Sequence, residues 1–520
     1  MDTKENVTPL ERARSVGRLV VVSNRLPVVF HKNENNGGWS SKTGSGGLVS
    51  ALMPVLRDRG GMWIGWPGVV DGHGSLDPYL EELSGQVGYG LEGIYLTDAQ
   101  IEGFYQGFSN EIIWPLFHDL PADCRFDPQH WQAYLQVNRI FAKRVAQVLE
   151  PSDIVWVHDY HLIGVAAGLR RHEVSNRIGF FLHIPFPPPD IFLKLPWRDE
   201  ILSGLLKYDL IGFQTMRDMR NFQRCLRALY KVKLSGKGQV QSLKAAPLSA
   251  DDGQPRRTQL RVGSFPISID FDHYADLAAS EAAGHRLEEL RHTFGDRKMI
   301  LSVDRLDYTK GLLAKLRAFR CFLVKNPALH GKVVLSLHVV PSREAIDQYQ
   351  QLRTEIEQFV SEINGAWSRP GWIPIHYYYH SMDPAELAAY YRRADIMFVS
   401  PLKDGMNLVA KEYCASHPDE DGILVLSEFA GAAAELQKGA LLINPYDVEG
   451  TAVRLYEAVT LEQDEVTRRM GRLRRQIKRN DIYHWVNSYL NAIVGRDLES
   501  FPKIEDYVPG PPPERHASQH

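Results

Sequence analysis

The feature that most constrains the fold is a recurring order: a short, unbroken apolar run, then a turn, then a helical pattern. In the first half such runs occupy residues 18–23, 62–66, 90–97, 153–158, 177–183, 208–213 and 260–265. From Pro266 the pattern restarts, with runs at 298–304, 332–340, 373–379, 396–400, 423–427 and 440–443. Strands that read as continuous apolar runs are buried on both faces, which is the mark of a parallel sheet covered by helices. Two such series imply an α/β protein of two doubly wound, Rossmann-like domains, 18–265 and 266–480. A long amphipathic helix is expected over 127–150, and a helical stretch near 466–494 closes the fold. Within it, 481–500 is expected to be a C-terminal helix packing back toward the first domain. Residues 1–17 read as a polar leader, 501–520 as a Pro-rich, disordered tail, and 234–257 as a surface-loop insertion of little periodicity.

Composition narrows the class. With 24% charged residues and a formal net charge of −3, the 520-residue chain has no overall pull toward nucleic acid or an anionic membrane. Cys124, Cys225, Cys321 and Cys414 are widely spaced with no CxxC pair, which suggests neither a zinc site nor a disulfide framework. The leader lacks the apolar core of a signal peptide, and no run approaches the length of a membrane span. A soluble, cytoplasmic protein without membrane or nucleic-acid partners is therefore expected.

In open α/β sheets, ligands bind in the loops at the carboxyl ends of strands, so those loops hold the candidate chemistry. The most informative stretch is 395–412, DIMFVSPLKDGMNLVAKE, a strand and a helix start separated by a polar loop. Free N–H groups at the helix start suit an anion or hydroxyls. Asp404 suits a sugar, and Glu412, about two turns on, a ribose diol. On spacing alone, the plainer reading of Asp404 as a turn residue and Glu412 as a solvated charge prevails. Arg305 and Lys310, in SVDRLDYTKG, follow a strand directly and suit a diphosphate, one as a bidentate fork and the other as a point charge; surface ion pairs explain them equally well. The glycine-rich 44–47 loop before a helix lacks the full dinucleotide fingerprint. Two further strands end in HDYH and HIPFPPPD, which suggests one shared cluster. His158 and His161 straddle a strand end with no evident third ligand, so hydrogen bonding to a polyol is favoured over a metal. Trp66 and Trp114 suit either a sugar face or core packing.

Taken together, VVVSNRLPV, GSGGL, GMWIGWPG, FYQGFSNEIIWPLFH, WVHDYHL, RIGFFLHIPFP, SVDRLDYTKG, SREAIDQY, SPLKDGMNLVAKEY and VLSEFAGAAAEL run in order over roughly 18–490. In these strings the chain resembles the trehalose-6-phosphate synthase family, glycosyltransferase family 20. The resemblance implies a GT-B fold, with two Rossmann-like domains facing each other across a cleft. It also implies a retaining transfer of glucose from UDP-glucose to glucose 6-phosphate.

Carried onto matching positions, the resemblance implies that Arg305 and Lys310 bind the donor diphosphate and that Gly47 approaches it through its backbone. Glu412 takes the ribose, while Asp404 with the backbone of Gly405, Met406, Asn407, Leu408 and Val409 holds the transferred glucose. Arg25, Tyr105 and Arg343 clamp the acceptor phosphate beside Trp114 and Trp66, and Asp159 and His183 sit by the reacting centre. No cofactor and no metal are implied, and a homo-oligomer is expected. The transfer proceeds by front-face attack, with no carboxylate nucleophile. The string LPWR at 195–198 also occurs in relatives making glucosylglycerol phosphate, so glycerol 3-phosphate is the alternative acceptor. A non-catalytic sugar-phosphate-binding regulator is opposed by the presence of Arg305, Lys310, Asp404 and Glu412 together.

Overall fold

The computed structural model describes residues 17–32, 39–44, 47–70, 76–236, 238–247, 258–342 and 346–495. The leader, the tail, residues 45–46 of the glycine loop, and Arg343 lie outside the described residues. The chain divides into two compact units, Met1–Phe265 with Trp485–Lys503, and Pro266–His484 with Ile504–His520. Among the described residues no helix is long and apolar enough to cross a membrane.

The first unit is built on a nine-stranded sheet. With its first six strands numbered in chain order, their spatial order is 3-2-1-4-5-6: Gly90–Gly93, Gly61–Trp66, Leu19–Arg25, Ile154–His158, Arg177–Phe181, Leu210–Phe213. All of these neighbours pair in parallel. That is the doubly wound order, reversing direction between the first and fourth strands. Val20, Val21, Val22, Val155, Trp156 and Val157 are fully buried in those two strands, as continuous apolar runs require.

The sheet then continues where the sequence suggested a loop. Thr258–Ser264 pairs in parallel with Leu210–Phe213, and Val240–Pro247 pairs antiparallel with both Thr258–Ser264 and Tyr230–Ser235. The expected 234–257 insertion is thus largely strand over its described part. Its signal is faint because the inward residues around the buried Leu243 are small, and because the edge strand YKVKLS alternates half-buried and exposed positions. Exposed lysines on an edge also discourage strand addition by another chain.

The helix Ile482–Val494 inserts Trp485 and Tyr489 against this sheet. Tyr489 stacks on Trp156 at 4.2 Å and donates its hydroxyl to Phe180 O at 3.1 Å, and Trp485 donates to Phe265 O at 3.1 Å. Room for Tyr489 comes from Gly179, where a Cβ would run into the Tyr489 hydroxyl. The helix preceding it, Gln463–Arg479, is separate, so the 466–494 stretch comprises two helices.

The second unit holds a six-stranded, all-parallel sheet with the same order. Ile375–Tyr378, Val333–Val340, Lys298–Arg305, Ile396–Val399, Ile423–Ser427 and Leu441–Ile443 lie side by side. The reversal here falls between Lys298–Arg305 and Ile396–Val399, the two strands that lead into the 305–310 and 400–407 loops.

Candidate active site

In the second unit, the strand Lys298–Arg305 ends in exposed Arg305. The chain turns through Asp307, whose Oδ1 accepts from the Thr309 N–H at 2.9 Å and the Thr309 hydroxyl at 2.8 Å. Gly311 follows in the left-handed region, at φ 67°, and a Cβ there would strike Ser400 O. Only glycine allows this approach, and with it the Leu402 N–H reaches Thr309 O at 2.8 Å. The neighbouring loop is held on its far side by Asp404 N–H to Phe429 O (3.2 Å) and Ala432 N–H to Met406 O (2.8 Å).

The result is a close ion pair, Lys310 Nζ to Asp404 Oδ2 at 2.5 Å, with side chains only 11% and 15% exposed. Asn407 Nδ2 donates to the same Asp404 oxygen at 3.2 Å. Asn407 also adopts φ 80° and caps the helix Leu408–Ala415 by accepting from the Ala410 N–H. A non-glycine residue at positive φ stores strain that the surroundings must hold. Gly405 and Met406 are buried, and Leu408 and Val409 half-buried. Glu412, half-buried, accepts a hydrogen bond from the Tyr391 hydroxyl at 2.9 Å and another from Tyr274. Burial raises its pKa and the two phenols pull it back.

Beneath these loops sit charges the sequence reading passed over. Lys315 is fully buried and donates to Ser302 Oγ and Asp304 Oδ2, directly before Arg305. Lys411 donates to Glu435 at 2.6 Å and to Ile267 O at 2.9 Å. Breaking one partner of such a buried pair costs about 3–5 kcal/mol, so both stiffen the floor of the site. Tyr274 and Tyr391 were missed as well: each lies on a helix remote in sequence, where an aromatic reads as core.

In the first unit, Arg25 ends the strand Leu19–Arg25 with its guanidinium 3.9 Å over the Trp66 ring. Desolvation there lowers its pKa, partly offset by Tyr105. The Tyr105 ring meets Trp66 at 6.3 Å and stacks on His161 at 5.8 Å. Arg25, Trp66 and Tyr105 therefore form one cluster. Tyr105 is carried by Ile101–Ile113, a wide π-type helix, a form common at functional sites. Trp114 ends that helix and is 6% exposed. Its ring lies against His118 at 4.3 Å and Tyr160 at 5.9 Å, and Tyr160 in turn lies on His161.

Asp159 takes φ 73° just after the strand Ile154–His158. Its Oδ1 accepts from the His183 N–H at 3.2 Å, and its own N–H donates to Phe181 O at 2.8 Å. The two strand ends suspected of sharing a cluster are joined here. His183 Nε2 lies 3.0 Å from His158 Nδ1. Burial pushes the His183 pKa down to about 3 and that of His158 well below its usual value, so both rings are neutral near pH 7. Gly47 is the first residue of the helix Gly47–Arg59. Among the described residues, no group of three or more His, Cys, Asp or Glu side chains is arranged to hold a metal ion.

Residues 17–494 match the model of glycosyltransferase family 20. The trehalose-6-phosphate synthase of Mycobacterium leprae (strain TN) is 40% identical over 476 residues, 91% of this chain and 94% of that protein. The bifunctional trehalose-6-phosphate synthase/phosphatase of Thermoproteus tenax is 39% identical; the match covers 92% of this chain but only 63% of that longer protein. Among solved structures, an α,α-trehalose-phosphate synthase (UDP-forming) from Burkholderia xenovorans in complex with glucose-6-phosphate superposes with a TM-score of 0.81. It is 34% identical, and the match covers 92% of this chain and all of that one. A protein from E. coli bound with UDP-2-fluoro glucose gives the same TM-score at 35% identity, over 92% of this chain and 99% of that one.

Proposed function

The chain belongs to glycosyltransferase family 20, with a GT-B fold of two Rossmann-like domains, and from that premise we propose that it transfers glucose from UDP-glucose to glucose 6-phosphate, giving α,α-trehalose 6-phosphate and UDP with retained configuration. The observation that carries this reading is likeness over nearly the full length of synthases such as the M. leprae relative. The B. xenovorans neighbour, in complex with glucose-6-phosphate, and the E. coli neighbour, bound with UDP-2-fluoro glucose, support the acceptor and the donor.

We assign the donor to the second unit. Lys310 has three N–H donors, one of which Asp404 occupies; the others, with the Arg305 fork, meet the negative charge that builds on the departing diphosphate. Asp404 and the first N–H groups of the helix Leu408–Ala415 hold the glucose hydroxyls. Glu412, held by Tyr274 and Tyr391, takes the ribose diol. We assign the acceptor phosphate to Arg25, Tyr105 and Arg343, with Trp66 and Trp114 lining the pocket. Cation–π contact with Trp66 leaves the N–H edge of the Arg25 guanidinium for a bidentate phosphate contact. Asp159 and His183 contact glucose hydroxyls, and His183, being neutral near pH 7, does so as a hydrogen-bonding partner rather than as a cation. The leaving diphosphate takes the acceptor's proton, and no metal enters the reaction.

The test is UDP release from UDP-glucose, with glucose 6-phosphate and glycerol 3-phosphate offered separately. Release with glucose 6-phosphate alone is expected. Release only with glycerol 3-phosphate would overturn the acceptor and keep the donor. EDTA should leave turnover intact, and loss restored by a divalent cation would sink the metal-free step.

A further inference from the structure

The HDYH string contributes a second histidine that the reaction above does not use. His158 is fully buried, and its Nδ1 lies 3.0 Å from His183 Nε2. The two rings stack at 28° with centroids 5.3 Å apart. The other nitrogen of His158, Nε2, is buried without a hydrogen-bond partner among the described residues, in a wall formed by Trp156, Phe181 and Trp485.

A short N···N contact between neutral imidazoles holds one proton, and two arrangements satisfy it. If His183 carries the proton on Nε2 and donates to His158, then His158 must carry its own on Nε2, as a buried N–H with no acceptor. If His158 carries the proton on Nδ1 and donates to His183, its Nε2 is a bare lone pair. A buried donor left unmade is rarer and costlier than an under-used acceptor. The second arrangement is therefore favoured, and it leaves His183 with its proton on Nδ1. The Gln214 side-chain amide lies 3.5 Å from that nitrogen. With its carbonyl turned to the ring, an orientation isosteric with the reverse, the amide takes only a long share of Nδ1–H, as in a three-centre bond, and the proton remains open to a second acceptor.

We propose that His158 is a positioning residue: by donating Nδ1–H to His183 Nε2 it fixes the His183 tautomer, leaving Nδ1–H as the one ring donor that His183 offers a sugar hydroxyl. This deepens the role given to His183 above and rests on it. Burial supports the assignment, because it keeps both rings uncharged. Fixing the tautomer by a second ring follows the logic by which a carboxylate or carbonyl orients a working histidine elsewhere.

Neutron diffraction from deuterium-exchanged crystals of the full chain reads the protons directly. Deuterons on Nδ1 of both His158 and His183, and none on His158 Nε2, are expected. A deuteron on His183 Nε2 facing His158 overturns the proposal. This readout needs no turnover, so it stands apart from any failure of the assigned reaction. A paired kinetic test asks whether the tautomer matters. His158→Asn presents an amide N–H where Nδ1–H was and should hold kcat near wild type. His158→Leu should lower kcat on the order of tenfold with little change in KM. Equal turnover by two folded variants would refute the positioning role. Nitrogen-15 NMR of the histidine rings in wild-type protein checks the tautomers in solution if the leucine variant does not fold.

Discussion

Tyr391→Phe isolates one hydrogen bond at Glu412, the residue we assign to the donor ribose. The Tyr391 hydroxyl donates to Glu412 Oε2 at 2.9 Å, and Tyr274 supplies a second phenol. A hydrogen bond to a charged group contributes about 1.5–3 kcal/mol. Tyr274 remains in the variant, so the lower end applies, and UDP-glucose binding should weaken about tenfold. The sign of the pH effect follows from the causes. Burial raises the Glu412 pKa above 4.5 and the phenols lower it; deleting one phenol raises it further. Only the carboxylate accepts both ribose hydroxyls, so donor affinity falls as pH drops through the folded-state pKa, and in the variant that fall begins at higher pH. Stability runs the other way. With the folded pKa above the unfolded one, the folded protein holds the extra proton between them, so stability declines as pH rises through that window. The assay is KM for UDP-glucose from UDP release across pH 5–9, with UDP affinity by calorimetry. A raised KM with near-normal kcat and a shifted acid limb is expected. An unchanged KM and acid limb would refute the placement of Glu412 at the ribose.

Lys310→Ala and Arg305→Ala should each lower kcat by about 10²–10³, the cost of losing a donor aimed at developing charge; near-normal turnover from either folded variant would remove its assigned role. Arg25→Ala should raise KM for glucose 6-phosphate by about tenfold or more and leave KM for UDP-glucose unchanged, and a change in the donor KM instead would place Arg25 elsewhere. Gly179→Ala should destabilise by about 1–3 kcal/mol in denaturant titration, because the new Cβ meets the Tyr489 hydroxyl. The loss should shrink in a Tyr489→Phe background, and equal losses in both would show that the hydroxyl is not what the methyl group meets.

What the sequence made legible, and what it hid, divides along physical lines. Strands such as Leu19–Arg25 and Ile396–Val399 are buried on both faces, so they read as unbroken apolar runs and mark their own carboxyl-end loops. Lys310 and Asp404 could be singled out because polar residues interrupt the pattern where a ligand loop belongs. Tyr391 and Tyr274 could not, because a phenol that orients a carboxylate looks like core until the carboxylate is seen beside it. Lys315 and Lys411 were hidden for the opposite reason: a lysine on a helix reads as solvated until its acidic partner proves to be buried with it. The strand Val240–Pro247 was obscured by its small and polar residues, since a strand in the middle of an antiparallel extension needs few large side chains to hold its register.

The common strand order explains why the candidate residues of each unit stand where they do. In the second unit, Lys310 and Asp404 are 94 residues apart. They meet because their strands are the first and fourth, the pair flanking the reversal in a 3-2-1-4-5-6 sheet. At a reversal the connecting helices depart to opposite faces, so the carboxyl ends of those two strands are left uncovered. The first unit repeats the arrangement: Arg25 ends its first strand, and Asp159 follows its fourth. A cation and a carboxylate thus stand at each reversal, but their spacing differs. In the second unit they are in contact, Lys310 Nζ against Asp404 Oδ2. In the first unit Arg25 lies on Trp66, and Asp159 accepts from the His183 N–H. The same topology therefore places a lysine–aspartate ion pair at one reversal and an arginine stacked on an indole at the other.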